Sequence, residues 1–315
     1  MTRTLPAILL STALLPTNLY AQEQISVVAT TGMIADAARV IGGDFVDVQA
    51  LMGPGVDPHA YRQTRSDIVA IARADLVLWH GLYLEAQLEE FLLELAETNR
   101  VIPVAEALDS SSLIASENYS DQFDPHVWMN PYLWAGVVQE VTAALSESAP
   151  DAAESFTANA EAYGEQVEAL AVYSEQVLST VPEQARVLVT AHDAFNYFGA
   201  AYGFEVVGIQ GISTESEAGL QRIGELVDLL VERDIGAVFV ESSVSDRNIR
   251  ALIEGAAARG HEVVIGGELF SDAMGPDGTY EGTWIGMIDH NVTTIARALG
   301  GEVPDGGMQG ALTLN

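Results

Sequence analysis

The 315-residue chain carries 45 Asp and Glu against 13 basic residues, all of them Arg, for a formal net charge of −32. Such a surface repels nucleic acid and anionic lipid, so neither is an expected partner, and the absence of Lys excludes Schiff-base chemistry and a phosphate-loop lysine. The absence of Cys excludes disulfides, thiolate metal sites and a catalytic thiol, while 49% hydrophobic residues are those of an ordinary globular protein.

Residues 1–21 read as a secretory signal peptide. Arg3 supplies a minimal positive region, Leu5 to Leu15 is mostly apolar, and Leu19-Tyr20-Ala21 precedes polar Gln22-Glu23-Gln24. The apolar run is too short to span a membrane, and Pro6 and Pro16 interrupt it. Export without a cysteine to lipidate predicts a soluble protein of a Gram-negative periplasm.

Strand-like Ile25–Ala29 is followed by helical apolar spacing over Gly32–Ile41, then by a strand at Val46–Leu51. Asp67–Ala74 and Leu84–Glu97 read as helices flanking an apolar strand at Asp75–Trp79, and Val101–Val104 is a further strand. Short apolar strands between helices imply a parallel sheet covered on both faces, which makes residues 22–149 an N-terminal α/β lobe. From Asp151 to about Thr180 the chain is built of good helix formers and is bracketed by Pro150 and Pro182. A helix of about 30 residues there would reach about 45 Å, enough to join two lobes across segment 150–182.

The pattern then repeats over residues 183–300. Strands are expected at Arg186–Thr190, Phe204–Val207, Ala237–Val240 and Glu262–Ile265, and helices near Ala194–Ala201, Ser216–Val231 and Asp246–Ala258. Residues 301–315 are Gly-rich and are expected to form a flexible tail. The fold class is therefore α/β: two (β/α) lobes with parallel sheets, joined by a long interdomain helix.

Four metal-type side chains stand in loops far apart in the chain. His59 lies in Asp57-Pro58-His59, His126 in Asp124-Pro125-His126, His192 in Thr190-Ala191-His192-Asp193, and Asp272 in Phe270-Ser271-Asp272. His59 and His192 follow predicted strands, where open α/β sheets bind their ligands. Three imidazoles and one carboxylate would close a four-coordinate site for a divalent transition metal. Asp57, Asp124 and Asp193 are candidate acceptors for a ligand ring N–H or ordinary turn residues. His80, His261 and His290 fit packing or surface roles better than ligation.

These motifs resemble the cluster A-I metal-binding solute-binding proteins of bacterial ABC transporters, closest to the TroA-type (TroA/ZnuA-like) branch. The similarity covers nearly all the mature chain. It is strongest in Gly55-Val56-Asp57-Pro58-His59, in Asp124-Pro125-His126-Val127-Trp128-Met129-Asn130-Pro131, in Thr190-Ala191-His192-Asp193-Ala194-Phe195 and in the run from Gly266 to Gly275. The resemblance implies two lobes linked by one long helix, a metal held between them by His59, His126, His192 and Asp272, and delivery of that ion to a membrane permease. A monomer is expected.

Many zinc-specific relatives carry a His-rich acidic loop before the second ligand, whereas Asp109–Phe123 has no histidine. Manganese-specific relatives typically place Glu at the third position, where this chain has His192. Imidazole suits zinc and oxygen-rich sites suit manganese, so Zn2+ is the expected ion and Mn2+ the alternative. The contrasting reading is a secreted metallohydrolase with Glu241 or Asp193 as base. A fourth protein ligand leaves little room for catalytic water, and no His-Glu-x-x-His motif occurs.

Overall fold

The protein was analysed as a computed structural model, which describes residues 24–116, 122–216 and 218–313. The expected signal segment, residues 1–21, lies outside the described residues. The first lobe is built on strands β1 (Ile25–Ala29), β2 (Val46–Ala50), β3 (Leu76–Trp79) and β4 (Val101–Pro103). They form one parallel sheet in the order β2-β1-β3-β4. All four side chains of β3 are buried, the signature of a strand covered on both faces.

Helix α1 (Gly32–Gly42) starts at Thr31, whose side chain accepts from the Ile34 N–H. Helix α2 (Arg65–Arg73) starts with a capping box between Thr64 and Asp67. Helix α3 begins only at Glu89 and ends at Ala96, not at Leu84 as the apolar spacing suggests. The intervening turn puts Gly81, Leu82 and Tyr83 at positive φ. The buried Glu85 carboxylate holds that turn by accepting the N–H groups of His80 and Gly81.

After Asn130, whose side chain caps the next helix, α4 (Pro131–Ser148) runs to a short 3-10 turn at Pro150–Ala152. The linking helix α5 follows from Ala153 to Leu178, 26 residues or about 39 Å. Its buried face, with Phe156, Tyr163, Val167, Leu170 and Val177, recurs at helical spacing. It packs against α1 and α4 and, in the second lobe, against α9 (Trp284–Ala298).

The second lobe contains two parallel pairs: β5 (Val187–Thr190) with β6 (Glu205–Gly208), and β7 (Ala237–Glu241) with β8 (Val264–Leu269). Helices α6 (Asn196–Tyr202), α7 (Leu220–Glu232) and α8 (Arg247–Ala258) alternate with them. The strand expected at Glu262–Ile265 instead continues through Gly266 and Gly267, with a register shift beside Phe239. These glycines do not make a turn. A Cβ on Gly266 would press on Phe239 and Ala298, and one on Gly267 would collide with Thr294, so both serve close packing of α9 on the strand. The helix expected from Ser216 begins at Leu220.

Residues 301–313, where the glycine content suggests a flexible tail, pack back against α9. The Met308 N–H donates to both Asp289 carboxylate oxygens, at 3.0 and 2.9 Å, and Leu312 is buried. One apolar core runs through both lobes. In it Trp134 and Trp284 stack with ring centroids 5.3 Å apart, alongside Trp128, Phe270 and Met274. Among the described residues no helix is long and apolar enough to cross a membrane.

Candidate metal centre

Each candidate ligand stands in a loop next to an ordered element and is locked locally. His59 follows β2 through a turn in which Gly55 takes φ 72°, and the Asp57 carboxylate accepts the His59 N–H at 2.9 Å. Asp124 does the same for His126 at 2.9 Å, immediately before the Val127–Met129 turn that leads into α4. His192 lies two residues past β5, where its N–H donates to Glu241 Oε1 at 2.9 Å and its carbonyl accepts from the Thr190 hydroxyl at 2.8 Å. Asp272 follows β8. Asn291 brackets Phe270 there by hydrogen bonds to both its N–H and its carbonyl, and the Trp128 indole donates to the Ser271 carbonyl at 2.8 Å.

The fold brings all four groups together. One ligand atom from each of His59, His126, His192 and Asp272 lies within 4.8 Å of every other, and all four residues are buried. The Nε2 atoms of His59 and His126 are 3.3 Å apart. His126 Nε2 is 3.3 Å from Asp272 Oδ1, and His192 Nε2 is 3.1 Å from Asp272 Oδ2. Although these are ion-pair distances, His192 Nε2 and both Asp272 oxygens are buried without a hydrogen-bond partner among the described residues. Orphaned polar atoms in a buried position are costly, and here they converge on one point.

The far side of each ring fixes its tautomer. His126 Nδ1 donates to Asp124 Oδ1 at 2.7 Å, and Asn196 of α6 donates to the other Asp124 oxygen at 3.0 Å. His192 Nδ1 donates to Glu241 Oε2 at 2.5 Å. Both rings therefore turn Nε2 to the common point, the arrangement that raises a ligand imidazole's basicity. Burial alone would lower the His126 pKa, but the Asp124 carboxylate, with Asp272, more than offsets it and holds it at about 9. His192 is likewise held well above its usual value, burial being overcome by Asp272 and Glu241. The two imidazolium rings in turn keep Asp272 well below the ordinary carboxylate range despite its burial. His59, whose ring is not bonded to a carboxylate among the described residues, is pushed by burial down to about 3 and stays neutral.

The other candidates separate cleanly. Asp193 turns away and accepts the Gly208 N–H at 2.8 Å, so it orients no ligand ring. Asp57 supports the His59 backbone, not its imidazole. His80 packs edge-on to Trp128, with Nε2 2.7 Å from the Pro125 carbonyl; His261 and His290 likewise face the carbonyls of Ile235 and Glu268. Glu241 is the partner that the sequence reading did not place beside His192. Its signal is a lone carboxylate ending the buried strand β7, at the edge where the other groups gather.

Known proteins place the chain. The model of the family described as ZnuA, zinc-uptake complex component A, periplasmic, matches residues 27–298. The manganese-binding lipoprotein MntA of Bacillus subtilis is 50% identical over 279 residues, 89% of this chain and 91% of that protein. The zinc-binding protein TroA of Treponema pallidum is 45% identical over 273 residues, 87% of this chain and 88% of TroA. The solved structure of that periplasmic zinc-binding TroA superposes with a TM-score of 0.86 over 88% of this chain and 99% of its own. The long similarity and the shared two-lobe architecture lead to one conclusion: the chain belongs to the ZnuA family of metal-binding ABC-transporter substrate-binding proteins.

Proposed function

We propose that this chain captures one divalent transition-metal ion in the periplasm through His59, His126, His192 and Asp272 and passes it to the membrane permease of an ABC importer. The observation that supports this most directly is the convergence of orphaned His192 Nε2 and Asp272 oxygens with two further ring nitrogens in one buried spot. All four ligands come from one chain, so a monomer suffices.

Zinc is the preferred ion. Ligands bound to zinc at about 2.0–2.1 Å in a tetrahedron lie about 3.3–3.4 Å from one another. The His59 Nε2–His126 Nε2 and His126 Nε2–Asp272 Oδ1 spacings, both 3.3 Å, agree with that edge. The donor set is dominated by imidazole, which suits zinc better than manganese. Manganese is the second reading, because MntA, at 50% identity, is named for binding manganese. The absence of cysteine supports a protein released in the periplasm without a cysteine-borne lipid.

A metallohydrolase is not supported. Glu241 is committed twice to His192, and Asp193 to Gly208, so neither candidate base is available. The test is metal analysis of protein purified without added metal, followed by calorimetric competition between Zn2+ and Mn2+ in the native protein and in His192→Ala. One ion per chain and zinc displacing manganese are expected. The variant should lose more than about 100-fold in zinc affinity, beyond what altering a ligand's hydrogen-bond partner costs. Unaltered zinc binding in His192→Ala rejects the ligand assignment.

A further inference from the structure

The four candidate ligands are at most 3% exposed, so an ion enters or leaves only when something covering the site moves. The rear of the site is a poor place for that movement. There the Trp134–Trp284 stack lies inside the core shared by both lobes. The Trp128 indole crosses to the Ser271 carbonyl, and the Trp284 N–H donates to Asp36 at 2.8 Å. Separating the lobes would expose several indole rings at once, each worth several kcal/mol of burial.

The front of the site is different. Segment 210–216, between β6 and α7, is a run of turns without helix or strand. Its Ile212 and Ser213, with Leu82, Tyr83 and Phe123, border a cavity of only about 20 Å³ beside His59. The Gln210 side-chain amide donates to the carbonyls of Thr214 and Ser216 at 3.2 and 3.0 Å, so the segment holds together as a unit. Among the described residues, two side-chain bonds tie it to the first lobe. Thr214 Oγ1 donates to Asp57 Oδ2 at 2.5 Å, and Gln87 Nε2 donates to Glu215 Oε1 at 2.9 Å. Both bonds are made to carboxylates, but the Gln87 bond is exposed to competing water whereas the Thr214 bond is partly buried. The other oxygen of that carboxylate already holds the His59 N–H.

We propose that Thr214 is a positioning residue: its bond to Asp57 clasps segment 210–216 over His59 and sets how fast the bound ion leaves. Opening the segment breaks the Thr214 and Gln87 bonds and leaves the Trp134–Trp284 stack in place. It also withdraws the support of the His59 loop, which faces the small cavity together with Pro125. The inference rests on the metal-binding reading above.

The experiment is stopped-flow release of Zn2+ from the loaded full chain into excess chelator, for the native protein, Thr214→Val, Thr214→Ser and Gln87→Ala. Thr214→Val keeps the shape and removes the hydroxyl. It should release zinc about ten- to 100-fold faster, the range for losing a hydrogen bond to a charged group. Thr214→Ser should restore the native rate, and Gln87→Ala should change it less than about threefold, as for an exposed contact. Native release kinetics in Thr214→Val overturn the clasp, as does faster release that the serine variant fails to restore. Stoichiometry in the native protein separates the two ideas: no bound zinc there sinks the metal-binding reading itself.

Discussion

Glu241→Gln isolates the part of the site that touches no ion. The native carboxylate accepts two donors from one residue, the His192 N–H at 2.9 Å and Nδ1–H at 2.5 Å. Glutamine has nearly the same shape but offers one acceptor oxygen and one donor amide. One of the two contacts therefore becomes donor against donor in a site with no room for water to intervene. In the native protein the neutral ring keeps its proton on Nδ1 and leaves Nε2 free for metal. If the ring yields in the variant, the neutral form keeps its proton on Nε2, the atom facing Asp272 at 3.1 Å, where it opposes metal binding. Changing such a partner typically costs 10- to 100-fold in metal affinity, about 1.4–2.7 kcal/mol. Calorimetric titration of zinc against a competing chelator reads this loss, and thermal unfolding of the metal-free variant checks that the fold survives. A Kd within twofold of the native value, in a variant that still folds, would show that Glu241 does not hold the His192 tautomer and would refute the reasoning.

Three further outcomes follow from the same geometry and the core. Since His126 is held at about 9 and His192 well above its ordinary value, zinc should release nearly two protons on binding at neutral pH, measurable as the dependence of binding heat on buffer ionisation enthalpy. The metal-free fold gains stability from His126 below about pH 6.5 and loses it as pH rises through about 9, so its Tm should fall over that window; His59, depressed to about 3, acts oppositely and loses stability as pH falls from about 6.5 toward 3. Proton release near zero, or a metal-free Tm that climbs from pH 7 to 9.5, would contradict this charge assignment. Trp284→Ala removes the stacked partner of Trp134 and the indole donor to the Trp128 carbonyl, and should cost about 3–5 kcal/mol in denaturant unfolding.

The sequence by itself determined the kinds of element and singled out the candidate ligands. β1 has the bounds its β-branched run suggests, and the buried strand β3 is one residue shorter than its apolar run. The linking helix gives up only its first residues to a 3-10 turn after Pro150, and its C-terminal end stops at Leu178. These are local properties: side-chain branching, apolar period and capping residues act within a few positions of one another. The imidazoles of His59, His126 and His192 and the carboxylate of Asp272 were legible because metal chemistry admits few residue types, each standing in a distinctive loop.

Long-range packing decided the rest. Gly266 and Gly267 have the composition of a turn but lie in a strand, because α9 and Phe239 press against them. Residues 301–313 look frayed by composition, yet Asp289 on α9 anchors them. Glu241 is an unremarkable strand-end acid until β7 sets it against His192, and Asn196 and Thr214 gain meaning only where they meet Asp124 and Asp57 of the other lobe. A hydrogen bond between residues 157 positions apart leaves no periodic trace in the chain, because its energy depends on where two finished lobes place their surfaces.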